Sequence, residues 1–227
     1  MARELAGAAV LFDLDGTLID TAGDLAASMN QALKVMGLSS VPHADVRHLV
    51  GFGARRMLQQ GIELSAGRAA SENELDDGLA VFLDHYHQNI AVHSRPFDGA
   101  IEVIERLKDK GAAIAICTNK REASARLLID ALGVSSLFDV IVGGDTAAYA
   151  KPDPAPVQLC LDETKADRAV FIGDSDTDIK AANAARLPCL IAQFGYGPLD
   201  HIDAASALFS EYSEAGALIV RMLSERP

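Results

Sequence analysis

Cysteine is scarce in this sequence: Cys117, Cys160 and Cys189 are the only three. Their odd number and wide spacing argue against a disulfide framework and against a paired zinc site, and predict reduced core thiols in a cytoplasmic protein. No apolar run approaches the ~20 residues of a membrane span. Basic residues are also outnumbered, with 20 Lys and Arg against 32 Asp and Glu, for a net charge of −12. That imbalance argues against nucleic acid or an anionic membrane as partner. It repels an anionic substrate at long range as well, so any phosphate site needs a local cation. There is no internal repeat and no low-complexity linker. Met1-Ala2-Arg3-Glu4 runs straight into the first apolar stretch, so no secretory leader is expected.

What the chain does have is an apolar share of 49% in 227 residues. That suits one sizeable domain, or one domain with a smaller insertion. The stretch from Val10 to Thr21 organises the rest. Ala8 to Phe12 reads as a buried parallel strand, covered on both faces. It ends in two carboxylates, Asp13 and Asp15, followed by Gly16. In open α/β sheets ligands bind at this end of the strands. Two carboxylates near one pocket need a cation or a proton to offset their repulsion. The alternative is a strand-to-turn corner in which Asp caps the next element.

Beyond Thr21 the pattern turns helical. Leu25, Met29, Leu33 and Met36 share helical spacing, predicting a helix over Asp20–Met36 that Gly37 ends. Further helices are expected around Ala44–Val50, Ala54–Ile62 and Asn73–Ile90, with no strand between Asp20 and Ser94. From Arg95 helices and strands alternate. Strands are expected at Ala112–Cys117, Phe138–Val142, Ala169–Ile172 and Cys189–Ala192. Helices are expected at Gly99–Lys110, Arg121–Leu132, Ala155–Glu163, Asp176–Ala185 and Ser213–Ser224. The alternation predicts an α/β fold, a Rossmann-like parallel sheet. The core would take residues 1–20 and 95–227, and an inserted α-helical cap residues 21–94. Hinges would fall near Asp20–Asp24 and Ser94–Asp98. A cap can exclude water and choose substrates.

Three later strand ends also carry polar residues. Thr118-Asn119-Lys120 offers a hydroxyl, an amide and a cation; Thr118 could donate to a phosphoryl oxygen or merely cap the next helix. Lys151 lies in Lys151-Pro152-Asp153-Pro154, where the prolines fix the backbone before a helix, so it is held rather than free. Gly173-Asp174-Ser175-Asp176-Thr177-Asp178 ends another strand. Asp176 and Asp178 could simply be first-turn acids that suit the helix dipole. In the helical segment, Gly51-Phe52-Gly53 precedes a helix carrying Arg55 and Arg56. Such a turn can bind an anion, and Arg55 or Arg56 could pair with a substrate carboxylate or lie on a solvated face.

These four strand ends resemble the motifs of the haloacid dehalogenase superfamily, in its phosphotransferase branch. The resemblance implies Asp13 as nucleophile and Asp15 as general acid/base. Dehalogenases of the superfamily lack the second Asp, and P-type ATPases carry Lys where Leu14 stands. Thr118 and Lys151 match the second and third motifs, and Asp174 and Asp178 the fourth. The resemblance implies a magnesium ion held by Asp13, the Asp15 backbone carbonyl and Asp174, with Asp178 behind them, since hard oxygen donors suit Mg2+. Thr118 and backbone amides near Leu14 and Asn119 would hold the phosphoryl oxygens.

V-G-F-G at Val50–Gly53, T-N-K at Thr118–Lys120, G-G-D before K-P-D-P-A-P, and F-G-Y-G at Phe194–Gly197 are similar to the phosphoglycolate phosphatase subfamily. That implies hydrolysis of a small phosphate ester, 2-phosphoglycolate, with its carboxylate met by Arg55 near Gly53. The alternatives are a phosphatase for another small phosphomonoester, a phosphomutase of the same superfamily, and a non-catalytic phosphate-binding regulator.

Overall fold

The structure, a computed structural model, describes residues 4–224. Strand β1 (Ala8–Phe12) leads through a turn to the two-residue β2 (Ile19–Asp20). Four helices follow: α1 (Ala22–Val35), α2 (His43–Arg47), α3 (Ala54–Ala66) and α4 (Glu72–Gln88). The chain returns through β3 (Arg95–Pro96), antiparallel to β2, with Ile19 opposite Pro96 and Asp20 opposite Arg95. It then alternates through α5 (Ala100–Asp109), β4 (Ala113–Cys117), α6 (Glu122–Ala131), β5 (Val140–Val142) and α7 (Ala155–Thr164). β6 (Arg168–Gly173), α8 (Asp176–Ala184), β7 (Cys189–Ala192), β8 (Ala207–Phe209) and α9 (Tyr212–Ser224) complete it.

The main sheet is wholly parallel and runs β5-β4-β1-β6-β7-β8. Ranked by chain order its six strands give the doubly wound arrangement 3-2-1-4-5-6. Alternate side chains feed separate cores, as the two-residue strand period requires. Val10, Phe12, Ile114, Ile116, Val170 and Ile172 pack on the face covered by α5, α6 and α9. Leu11, Ala115, Cys117 and Phe171 pack on the opposite face, under α7 and α8. Both faces being buried explains why these strands read as continuous apolar runs.

The expected α/β architecture is present. Three details differ from the sequence expectations. Asp20 belongs to the β2–β3 ribbon instead of opening α1. The helix expected at Ala44–Val50 covers only His43–Arg47. A sixth strand, β8, joins the sheet edge beyond Cys189–Ala192; its three residues are too few for periodicity to announce it.

Helix α4 starts with a capping box, in which the Ser71 hydroxyl accepts from the Glu74 amide and the Glu74 carboxylate accepts from the Ser71 amide. The four helices between β2 and β3 pack on one another and rest on the carboxyl edge of the sheet. Asn119 Nδ2 donates to the Gly51 carbonyl at 3.2 Å, and His87 Nε2 lies 2.8 Å from Ser124 Oγ. Arg47 reaches across to the Phe194 carbonyl at 2.9 Å.

Candidate active site

The central strands end together, and their ends bring together acids that lie far apart in sequence. The Asp13 amide extends the ladder by donating to the Ile172 carbonyl at 2.8 Å, and the Thr118 amide donates to Val142 at 3.0 Å. Gly16 then turns the chain with φ +83°, a region other residues resist. A Cβ at this position would lie 2.5 Å from Asp174 Oδ2, so the turn also needs the missing side chain to bring the two loops together.

Asp13, Asp174 and Asp178 are all buried, and one oxygen from each lies within 4.8 Å of the others. Lys151 stands among them, with Nζ 3.1 Å from Asp13 Oδ1 and 2.6 Å from Asp178 Oδ1. Burial opposes the lysine's charge, but Asp13 and Asp178 outweigh it and hold its pKa above the ordinary range. Asp178 Oδ2 accepts from the Asp174 and Ser175 amides, both at 3.1 Å, and from Ser175 Oγ at 2.7 Å. Both of its oxygens are therefore occupied by protein donors. Asp174 accepts from Thr17 Oγ1 at 3.0 Å and from the Tyr196 amide at 2.7 Å.

The cluster is short of positive charge. Burial pushes Asp13 up to about 6, with Lys151 opposing and Asp178 and Asp15 adding to the rise. Burial, Asp178 and Asp13 push Asp174 up to about 8. Asp13 Oδ1 makes no hydrogen bond of normal geometry among the described residues, although it lies within ion-pair reach of Lys151. A buried oxygen without a donor, beside further carboxylates, fits a hard divalent cation. Asp13 has the oxygen without a donor and Asp174 accepts only from neutral groups, whereas Asp178 is paired with Lys151 and is better placed to orient that lysine and the Asp174 loop.

Asp15 faces a second cation. Lys120 Nζ donates to both of its carboxylate oxygens at 2.8 Å, and Thr21 Oγ1 donates to Asp15 Oδ1 at 2.7 Å. Lys120 also lies over the Tyr86 ring, 4.8 Å from its centre. This lysine stood in the T-N-K stretch without an assigned role. What could have singled it out is its position as a cation at a strand end; its pairing with Asp15 spans 105 residues and is invisible locally.

A cavity of about 330 Å³ opens between the helical segment and this edge of the sheet. Asp15, Asn119, Lys120, Gly53 and Arg55 line it, with Leu25, Leu49, Met57 and Phe82 as apolar wall. Thr118 is buried and its Oγ1 accepts from the Lys120 amide at 3.2 Å, so the hydroxyl hydrogen is left to donate elsewhere. Asn119 Nδ2 binds the Gly51 and Lys151 carbonyls, at 3.2 and 3.0 Å, which makes it a brace between the helical segment and the lysine loop. Gly53 precedes α3 with no side-chain cap, and its backbone passes close to the Asn119 carbonyl.

Arg55 lines the cavity, with its charge already paired. Its guanidinium is bound by Glu72 at 2.5 Å and Asp76 at 2.6 Å, and its side chain is 42% exposed. It stands at the cavity rim, held by two acids of α4. Arg56 points to the exposed side of α3, bonded to Gln59 at 3.0 Å. Asp176 takes no part in the cluster and binds His201 at 2.6 Å.

Known proteins resemble this chain in sequence and fold. The family model of the haloacid dehalogenase-like hydrolases matches residues 10–192. A phosphoglycolate phosphatase of Mesorhizobium japonicum is 45% identical over 189 residues, covering 82% of this chain and 83% of its own. One from Caulobacter vibrioides is 40% identical over 196 residues, covering 86% and 82%. Among solved structures, a predicted phosphoglycolate phosphatase from Haemophilus somnus superimposes with a TM-score of 0.86 at 28% identity, covering 92% of this chain and 96% of that one. With its strand-end acids gathered on one sheet edge, this chain belongs to the haloacid dehalogenase-like hydrolases.

Proposed function

We propose that the chain is a magnesium-dependent phosphomonoester hydrolase that works through an aspartyl-phosphate and acts on 2-phosphoglycolate. The observation that carries this reading is the meeting of Asp13, Lys151 and Asp174 at one strand edge, with Asp15 and its lysine beside them. The substrate follows from the relatives, whose names specify phosphoglycolate. Residues 21–94 act as the cap and the rest as the catalytic core. Among the described residues the three cysteines are buried and free, which supports a reducing, cytoplasmic setting, and no helix is long and apolar enough to cross a membrane.

Asp13, Asp174 and the carbonyl of Asp15 would hold Mg2+, which supplies charge neutralisation for the incoming phosphoryl group. An Asp13 oxygen attacks phosphorus in line while the bond from phosphorus to the ester oxygen breaks. Lys151 offsets the charge that Asp13 and the phosphoryl oxygens bring together. Thr118 and the backbone amides near Leu14 and Asn119 hold the equatorial oxygens. Asp15 must enter this step protonated, and it gives that proton to the departing alkoxide. It then takes a proton from the water that attacks the phosphorus of the aspartyl-phosphate, and inorganic phosphate leaves with Asp13 restored.

The test is phosphate release from a panel of small phosphate esters with Mg2+ present, including 2-phosphoglycolate and sugar phosphates. Glycolate and phosphate in equal amounts are expected. Isomerisation of a sugar phosphate without net phosphate release would replace the hydrolase reading with a phosphomutase.

A further inference from the structure

We propose that Lys120 and Tyr86 form a subsite for a carboxylate on the leaving group, one carbon from the ester oxygen. The proposal rests on the hydrolase reading above and goes beyond it by assigning what recognises the substrate.

The leaving oxygen must lie against Asp15 to receive its proton. Lys120 Nζ is on the same carboxylate, 2.8 Å from each oxygen. An ammonium has three N–H groups; two contacts go to Asp15 and the remaining one faces Tyr86, on the wall of the cavity. A carboxylate attached to the carbon next to the ester oxygen falls beside that ammonium. One carried farther along a chain would enter the apolar wall of Leu49, Met57 and Phe82 instead.

Tyr86 supplies an independent observation. Its side chain lines the same cavity and is 1% exposed; Lys120 approaches its hydroxyl as a donor, and no group among the described residues accepts the hydroxyl's own hydrogen. A buried donor without an acceptor is disfavoured until one reaches it. Burial pushes the phenol up to about 12 against the opposing charge of Lys120, so it remains a donor at neutral pH. Lys120 and Tyr86 thus present an ammonium and a hydroxyl side by side, and a carboxylate can accept from both. Two other cations line the cavity: the Arg55 guanidinium is bound by Glu72 and Asp76, and Arg121 is exposed, away from the buried Asp15–Lys120 pair. The interior subsite therefore falls to Lys120.

The experiment compares kcat/KM for 2-phosphoglycolate with kcat/KM for ethyl phosphate, which lacks the carboxylate. The wild type should prefer phosphoglycolate by about 100-fold or more, as sites built around polar pairing do. Lys120→Met should bring that preference down to within about tenfold of unity, and Tyr86→Phe should lower it by about tenfold. Lys120→Arg keeps a cation and should retain part of the preference. If Lys120→Met does not fold, the Tyr86→Phe and Lys120→Arg ratios decide the matter. An unchanged ratio in the folded variants, or an equal loss on both substrates, overturns the subsite. So does a wild type that hydrolyses both esters alike, in which case the hydrolase reading stands. No phosphate release from any ester removes the hydrolase reading and the subsite with it.

Discussion

Tyr196 and Asp174 are joined by a 2.7 Å bond from the tyrosine amide to Oδ2 of the aspartate. The same tyrosine's hydroxyl accepts from the Thr21 amide at 2.9 Å and the Ala22 amide at 3.3 Å, and donates to Asp20. One residue of the F-G-Y-G loop thus holds a candidate metal-binding carboxylate at its backbone and the start of α1 at its side chain. Arg47 covers the ring, 4.9 Å from its centre.

Removing only the hydroxyl separates those two attachments. Tyr196→Phe leaves the amide on Asp174 in place but strands the buried Thr21 and Ala22 amides at the start of α1, while the exposed Asp20 carboxylate turns to water. Loss of a cap and of buried hydrogen bonds should destabilise the protein by about 1–3 kcal/mol in urea unfolding. Mg2+ affinity should change little. A large fall in affinity with unchanged stability would place the tyrosine's role at the metal instead.

The two carboxylates of the first strand end should fail in different ways. Asp13→Asn should abolish turnover while phosphoglycolate still binds, measured by calorimetry. Asp15→Asn should leave the attack possible but lower kcat by about 100–10,000-fold, the range for losing a general acid/base. Peptide mapping of trapped enzyme should find the phosphoryl group on Asp13; any other residue would overturn the assignment.

Metal binding should depend on pH in a defined direction. Asp13 and Asp174 are raised by burial to about 6 and about 8, so the cation-free fold binds more protons than the unfolded chain between roughly pH 4 and pH 8. Stability of the chelated protein should therefore fall as pH rises through that window. Mg2+ binds the ionised carboxylates, so its apparent affinity should rise over the same interval, with protons released on binding. Thermal melts with EDTA and with Mg2+ at pH 6 and pH 8 check both signs. A smaller Mg2+ stabilisation at pH 8 than at pH 6 would contradict this account.

Arg55 should matter less than Lys120. Because it is an exposed cation already bound to Glu72 and Asp76, Arg55→Ala should lower kcat/KM for phosphoglycolate by at most about fivefold, mainly through KM. A loss as large as that of Lys120→Met, confined to the carboxylate substrate, would return the recognition role to the arginine.

Much of the site's frame could be read from short stretches. Each apolar strand ends in its own chemistry within a few residues, and the parallel order of the sheet does the rest: Asp13, Thr118 and Asp174 meet because β1, β4 and β6 are neighbours or near neighbours. The helical block was legible for a similar reason, since its apolar spacing is local. Lys120, Tyr86 and Tyr196 act through contacts made between distant segments, and local pattern has no access to those. Arg55 shows the converse. Its place after Gly53 suggested an anion site, while the acids that occupy it, Glu72 and Asp76, lie on another helix. The β2–β3 ribbon escaped notice because two residues in each strand cannot establish a period.

That ribbon has an evolutionary consequence. The chain leaves for the helical segment at Asp20 and comes back at Arg95, and these two residues are antiparallel partners. Departure and return are therefore one junction, with the spacing of adjacent strands. A different insert, or a hairpin turn of a few residues, could be spliced there without altering the register of the parallel sheet. The insert's share of the cavity wall, Tyr86 included, can then change as a unit while Lys120 and the strand-end acids stay with the sheet.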